Sequence, residues 1–178
     1  MLKILAISGS LSRSSSNTAL LRAASCIGRK QTAIEVYERM SGLPLFNVDQ
    51  DIDPAPESVV DFRARLASSD GILISSPEYA HGISGVLKNA LDWTVSSGEF
   101  YEKPVAVFNA SPRATLAQAS LTEILKTMGS RIVEEACITV PLLGKHLDPE
   151  GIVADAAIAN SLRTAVRVLT QAISAMKV

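Results

Sequence analysis

Nine residues near the amino terminus, "GSLSRSSSN" from Gly9 to Asn17, include five serines, an asparagine and an arginine, and follow directly on the apolar run "LKILAIS". Hydroxyls and an amide placed where a strand passes into a helix add hydrogen-bond groups to the free N–H groups of the first helical turn. That end of a helix carries partial positive charge, so the natural occupant is an anion. The stretch contains neither G-x-x-x-x-G-K-[ST] nor G-x-G-x-x-G, which excludes a triphosphate P-loop and a dinucleotide pyrophosphate turn. Ser10, Ser12, Ser14, Ser15, Ser16 and Thr18, with Asn17 and the single Arg13, fit a terminal phosphate monoester, whose oxygens accept several hydrogen bonds. The alternative is an ordinary serine-capped helix, for which one Ser or Asn would suffice.

Two further stretches carry chemistry. In "SPEYAHGISGVLKNALDW" (Ser76 to Trp93), Pro77 fixes backbone direction and Tyr79 offers a flat aromatic face. Gly82 and Gly85 let backbone approach a planar ligand. His81 lacks companions for a metal or general-base role, since the only other histidine is the remote His146, and it reads as a polar wall of a pocket. Glu78 has no second carboxylate nearby, so it reads as a residue that orients backbone or caps the following helix. The third stretch is "SPRAT", Ser111 to Thr115. No side chain is assigned a proton-transfer role, and no cluster has metal-ligand spacing.

The elements that must position these loops follow from hydrophobic pattern. Continuous apolar runs at Leu2 to Ser8, Gly71 to Ser76, Val105 to Ala110 and Ala136 to Val140 predict strands buried on both faces, as in a parallel sheet. The alternating "AIEVYER" (Ala33 to Arg39) predicts an edge strand. Helical patterns fall between them at Asn17 to Gly28, Pro56 to Ser68, Ile83 to Ser96, Thr115 to Met128 and Ala154 to Met176. The alternation predicts one α/β domain over residues 1–178 with right-handed crossovers. In such sheets ligands bind beyond the carboxyl ends of the strands, which is where all three loops fall. The apolar arc of the third helix, from Ile83 to Val95, is wide enough to predict a second buried side against another subunit. Leu43, Leu45 and Phe46 in "GLPLFNVDQD" are expected to pack on the body or on that partner.

A chain of 178 residues with 47% apolar and 20% charged content is globular, and a net charge of −1 argues against nucleic acid as partner. Cys26 and Cys137 stand alone and are expected to be buried packing residues. No run suits a signal peptide or a membrane span, so a cytoplasmic protein is expected. A phosphoacceptor receiver would need acidic residues where Ser8, Ser10, Ser75 and Ser76 stand, and a serine hydrolase would need glycines flanking Ser10 in G-x-S-x-G.

Taken together, "GSLSRSSSN", "LPLFNVDQD" and "SPEYAHGISGVLKNALDW" resemble the NADPH-dependent FMN reductase family, which includes quinone, azo-dye and chromate reductases. The resemblance implies a flavodoxin-like three-layer fold with a five-stranded parallel sheet in the order 2-1-3-4-5 and helices on both faces. It implies FMN and NADPH (or NADH) as cofactors, and a homodimer or homotetramer with the site at the subunit boundary. It implies hydride transfer from nicotinamide to flavin and then electron transfer to a small acceptor, in ping-pong order. Ser10, Ser15 and Asn17 match the family's phosphate loop, with Arg13, Ser16 and Thr18 as neighbours. Pro77, Glu78, Tyr79 and Gly82 match the segment along the isoalloxazine, and Ser111 matches the approach to its other edge. The family's usual arginine position holds Ser12, with Arg13 one place later, and Arg113 stands where a glycine pair is common. The rival from another class is a flavodoxin-type electron carrier, which a charge of −1 fits poorly.

Overall fold

The computed structural model describes residues 1–28 and 32–177. Strand β1 (Leu2–Ser8) lies between β2 (Thr32–Val36) and β3 (Gly71–Ser75), and β3 pairs in turn with β6 (Pro104–Asn109), all in parallel. A short hairpin, β4 (Glu78–Tyr79) and β5 (Gly82–Ile83), stands apart from this sheet. The order is therefore β2-β1-β3-β6, which, with the hairpin strands set aside, is the expected order of the first four strands, and the fold is flavodoxin-like.

The expected fifth strand is split. Strands β7 (Arg131–Ile132) and β8 (Ile138–Thr139) both run parallel to β6, one at each end of it. Between them Glu134–Ala136 forms a 3-10 turn, with the adjacent carboxylates of Glu134 and Glu135 at the surface. The turn carries the chain away from the ladder, and the Cys137 thiol fills the gap: Val107 N–H donates to its Sγ at 3.3 Å. Burial pushes the Cys137 thiol pKa up, which keeps it a neutral partner. Cys137 is half-buried, but Cys26 is exposed, contrary to expectation.

Because successive side chains of a strand point to opposite faces, the sheet builds two cores. Ile4, Ala6, Leu73, Ala106 and Phe108 pack on one side, with Leu20, Leu21, Leu162 and Leu169. These leucines come from α1 (Ser16–Gly28) and α6 (Ala156–Ala175). Leu5, Ile7, Ile72, Ile74, Val105 and Val107 face the other way. There they meet Phe62 and Leu66 of α2 (Glu57–Ser68), Leu87 and Leu91 of α3 (Gly85–Asp92), and Leu125 of α4 (Thr115–Thr127). Burial on both faces explains why these strands read as unbroken apolar runs.

Two helix boundaries differ from expectation for local reasons. Helix α3 stops at Asp92, and Thr94 Oγ1 donates to Leu91 O at 2.8 Å. Trp93 beyond it is buried, while Val95 is 65% exposed, so the wide arc was partly an arc of residues outside the helix. A further helix, α5 (Pro149–Ala154), precedes α6 and ends where Asp155 takes over as N-cap, accepting from Ala157 and Ile158 N–H at 3.1 Å each.

The "LPLF" loop is clamped onto α3. Trp93 Nε1 and Asn89 Nδ2 both donate to Pro44 O at 2.9 Å, and Phe46 N–H donates to Asn89 Oδ1 at 2.7 Å. Phe46 stands edge-on to Trp93, with ring centroids 5.1 Å apart, and Leu43 is buried. Leu45 is instead 84% exposed. No helix among the described residues is long and apolar enough to cross a membrane.

Candidate active site

The chain turns from β1 to β2 on one side and then crosses to β3 on the other, so the carboxyl ends of β1 and β3 form the crevice where strand order reverses. A cavity of about 440 Å³ opens there. Its floor and walls come from four loops. The first supplies Ser10, Ser12, Ser15, Ser16 and Asn17; the second supplies Ser76, Pro77, Glu78 and Tyr79. The third runs from Asn109 to Ala114, and the fourth contributes Leu143.

The serine loop is built in layers. Ser15 is buried and caps α1, its Oγ accepting from Thr18 N–H at 3.3 Å and its carbonyl from Ala19 N–H at 2.9 Å. Ser8 Oγ and Thr18 Oγ1 bond each other at 2.7 Å, which ties the end of β1 to the first turn of α1. Ser75 Oγ donates to Asn17 Oδ1 at 2.9 Å, so β3 fixes the amide and leaves its Nδ2 hydrogens without a protein acceptor among the described residues. The backbone N–H groups of Ser16 and Asn17 likewise meet no protein acceptor there. Any capped helix keeps its first N–H groups free; what is particular here is that they share a cavity wall with the Asn17 amide. Donors gathered on one wall suit an anion.

Gly9 lets this loop sit low. Its N–H donates to Ser75 O at 2.8 Å, and a Cβ on it would lie 2.5 Å from Ser76 Oγ and 2.9 Å from Ser84 Oγ. Ser84 is itself occupied as the N-cap of α3, accepting from Leu87 N–H at 3.2 Å.

Glu78 does cap a helix, but not the one that follows it. Helix α4 begins after Ala114, which has no side-chain acceptor, and Glu78 Oε2 takes that place by accepting from Leu116 and Ala117 N–H at 3.0 and 2.9 Å. Its other oxygen meets His81 Nδ1 at 3.3 Å. The Ala117 N–H foremost, then the His81 and Leu116 bonds, hold the Glu78 carboxyl below its ordinary pKa against the opposing effect of desolvation. The clamp steadies a tight two-residue turn in which Ala80 and His81 adopt φ of +48° and +62°, a region favouring glycine or asparagine.

A carboxylate whose folded pKa is depressed contributes stability that is complete above its unfolded pKa and fades as pH falls through the folded value. Glu78→Gln is therefore expected to flatten the acid limb of the stability curve between about pH 4.3 and lower values. Glu78→Ala is expected to raise amide exchange at Leu116 and Ala117 by about tenfold or more, because both lose their acceptor. Wild-type exchange at those two amides in the Ala variant would remove the clamp from this account.

Of the residues singled out in the sequence, Ser10, Ser15, Ser16, Asn17, Pro77, Glu78, Tyr79 and Ser111 line the cavity. Arg13 and Thr18 instead line an adjoining hollow of about 310 Å³ towards β2, which shares Ser10 and Ser12 with the first. Gly82 closes the hairpin opposite Tyr79 and does not line the cavity, and a Cβ there would meet only Tyr79 O, at 3.9 Å. His81 is not a cavity wall, since its side chain is exposed and engaged by Glu78. Sequence reasoning missed Asn109 and Leu143. Asn109 was findable as a polar residue closing an apolar strand; Leu143 carries no chemical signal. Among the described residues no group of His, Cys, Asp or Glu could hold a metal ion.

The model of the family described as NADPH-dependent FMN reductase matches residues 2–142. A probable NADPH:quinone oxidoreductase from Oryza sativa subsp. japonica is 46% identical over 95 residues, 52% of this chain and 47% of that protein. An NAD(P)H-dependent FMN reductase from Pseudomonas aeruginosa is 39% identical over 112 residues, 62% of this chain and 60% of that one. The chain thus spans about half to three-fifths of the length of these relatives. Among solved structures, the flavoenzyme NAD(P)H:(acceptor) oxidoreductase from Paracoccus denitrificans superposes with a TM-score of 0.87 at 27% identity, covering 98% of each chain.

Proposed function

Because the chain belongs to the NADPH-dependent FMN reductase family, we propose that it is an FMN-dependent NAD(P)H oxidoreductase that reduces quinone-type acceptors. The observation that carries this reading is the row of unpartnered donors at Ser16 and Asn17, opening into a cavity bounded by Pro77 and Tyr79. A phosphate monoester joined to a flat ring system satisfies both ends, and the cavity lies within the size range of cofactor sites.

In this reading Ser10, Ser15, Ser16 and Asn17 hold the phosphate end of FMN, and Pro77, Glu78, Tyr79 and Ser111 border the ring. Thr18 acts through Ser8, keeping the cradle registered on β1. Arg13 adds positive potential from the adjoining hollow, and Gly82 closes the turn that carries Tyr79. Bound there, FMN supplies two-electron chemistry, by which NAD(P)H, a proton and a quinone become NAD(P)+ and a hydroquinone. The chain's own share is placement: donors for the phosphate, a rigid hairpin beneath the ring, and an open face for each substrate in turn.

The exposed apolar residues Leu45, Val48, Ile52 and Val95 are assigned to contact with a second copy of the chain; Val95 among them lines a 570 Å³ groove between α3 and α4. The reading places the protein in the cytoplasm, where reduced nicotinamides are supplied.

The purified protein is expected to be yellow, or to become so on adding FMN, to sediment as a dimer or larger, and to oxidise NADPH with a quinone faster than free flavin does. A colourless protein that binds no FMN would sink the proposal. FMN binding without turnover would point to an electron carrier instead.

A further inference from the structure

Of the described residues that line the cavity, only Glu78 and Arg113 are charged. They are not equivalent. The Glu78 carboxylate accepts from two backbone N–H groups and from His81, so its negative charge is already met by donors. Arg113 is exposed and has no carboxylate within 4.0 Å among the described residues. The Glu78 oxygens are thus engaged within the protein, and Arg113 is the cation on this wall whose charge is left to meet a ligand.

The backbone beneath Arg113 is fixed. Ala114 N–H donates to Ser111 O at 3.1 Å, closing a turn with Pro112 at its first central position, where proline favours the turn. Arg113 N–H donates to Ser111 Oγ at 3.2 Å. Asn109, buried at the end of β6, bonds both sides of the turn: its Oδ1 accepts from Ser111 N–H at 2.9 Å and its Nδ2 donates to Ala114 O at 3.1 Å. An exposed side chain thus stands on a hydrogen-bonded base, which limits the backbone entropy lost when it engages a ligand.

The surroundings indicate which ligand. Arg113 belongs to the loop after β6, whereas the cradle donors belong to the loop after β1. With it on the cavity wall stand Tyr79 and Leu143, 60% and 62% exposed, which offer flat and apolar surface. Apolar surface beside an unpaired guanidinium recognises an aromatic ring that bears an anionic oxygen group.

We infer that Arg113 is a specificity-determining residue that makes the acceptor site favour anionic aromatic acceptors, such as a sulfonated or carboxylated quinone, over their uncharged counterparts. This rests on the flavin-reductase reading for turnover, but the binding preference itself can be measured without turnover.

The test uses the FMN-loaded protein and its Arg113→Ala and Arg113→Lys variants. Calorimetry with two redox-inert probes, naphthalene-2-sulfonate and naphthalene-2-sulfonamide, reads binding. Steady-state turnover with a naphthoquinone sulfonate and with uncharged 2-methylnaphthoquinone reads the same preference in kcat/KM. Arg113→Ala is expected to lower the sulfonate-to-neutral ratio by about fivefold to tenfold in both readouts, chiefly through Kd and KM. Arg113→Lys should recover part of it, and added salt should shrink the wild-type preference. An unchanged ratio overturns the inference. So does a variant whose only change is a raised KM for NADPH relative to NADH, which would assign the cation to the nucleotide's ribose phosphate. If neither quinone is turned over by a protein that holds FMN, the enzyme reading fails, while the two calorimetric affinities still decide the role of Arg113.

Discussion

Gly9→Ala is expected to lower both the stability of the protein and its affinity for FMN, although the change adds a single methyl group. The added carbon would sit 2.5 Å from Ser76 Oγ, 2.9 Å from Ser76 Cβ and 2.9 Å from Ser84 Oγ. Rotating the Ser76 hydroxyl away relieves the first overlap but not the second, which is with the carbon that bears it. Ser84 cannot withdraw without releasing Leu87 N–H and the start of α3. The remaining escape is for the serine loop to rise from β3, lengthening the bond from Gly9 N–H to Ser75 O and carrying the cradle with it. Overpacking of this kind costs about 1–3 kcal/mol, with roughly 2–4 °C in Tm for each kcal/mol in a chain of this size. Displacing donors that must converge on one phosphate is expected to weaken FMN by about tenfold or more, equivalent to roughly 1.4 kcal/mol. Adding Ser76→Gly to Gly9→Ala removes the two closest contacts and should restore much of both properties. A single variant with wild-type Tm and wild-type FMN affinity would show that the close approach does not matter.

The same residues show how far the site was legible before the structure. Strands β1, β3 and β6 were readable because burial on both faces forces unbroken apolar runs, and the loops after them declared themselves by composition. The split of the fifth strand was hidden: "EEACITV" has an apolar end, and nothing in it says that Glu134 and Glu135 will turn outward while a thiol holds the ladder. The role of Glu78 was half readable. That it would cap a helix follows from its lack of a partner acid, but its target lies 38 residues on and is fixed only once β3 and β6 are adjacent. The hairpin of Glu78 to Ile83 runs against local turn preference at Ala80, whose φ of +48° is one that alanine rarely adopts. It forms because the Glu78 clamp holds one of its strands against α4. Cys26 was misread for a simpler reason: residue type alone favours burial, and position on the exposed side of α1 decided otherwise.

Asn17→Asp separates folding from binding more sharply than any deletion. The two side chains are nearly the same shape, and the aspartate keeps an oxygen for the Ser75 hydroxyl that now donates to Asn17 Oδ1 at 2.9 Å. Position 17 lies in the first turn of α1, which contains no acidic residue, and a carboxylate there interacts favourably with the helix dipole by about 0.3–1 kcal/mol. Stability should therefore hold or rise slightly. Binding should move the other way. The substitution replaces the two Nδ2 hydrogens with a lone-pair oxygen and sets a negative charge beside the phosphate. Like charges about 4 Å apart repel by roughly 4 kcal/mol at an effective dielectric of about 20. With that repulsion the affinity for FMN is expected to fall by about a hundredfold or more. Riboflavin, which lacks the phosphate, supplies the internal control, because its affinity should change far less. If FMN binds Asn17→Asp as tightly as the wild type, the phosphate does not lie at the start of α1, and the donors left over at Ser16 and Asn17 serve something else.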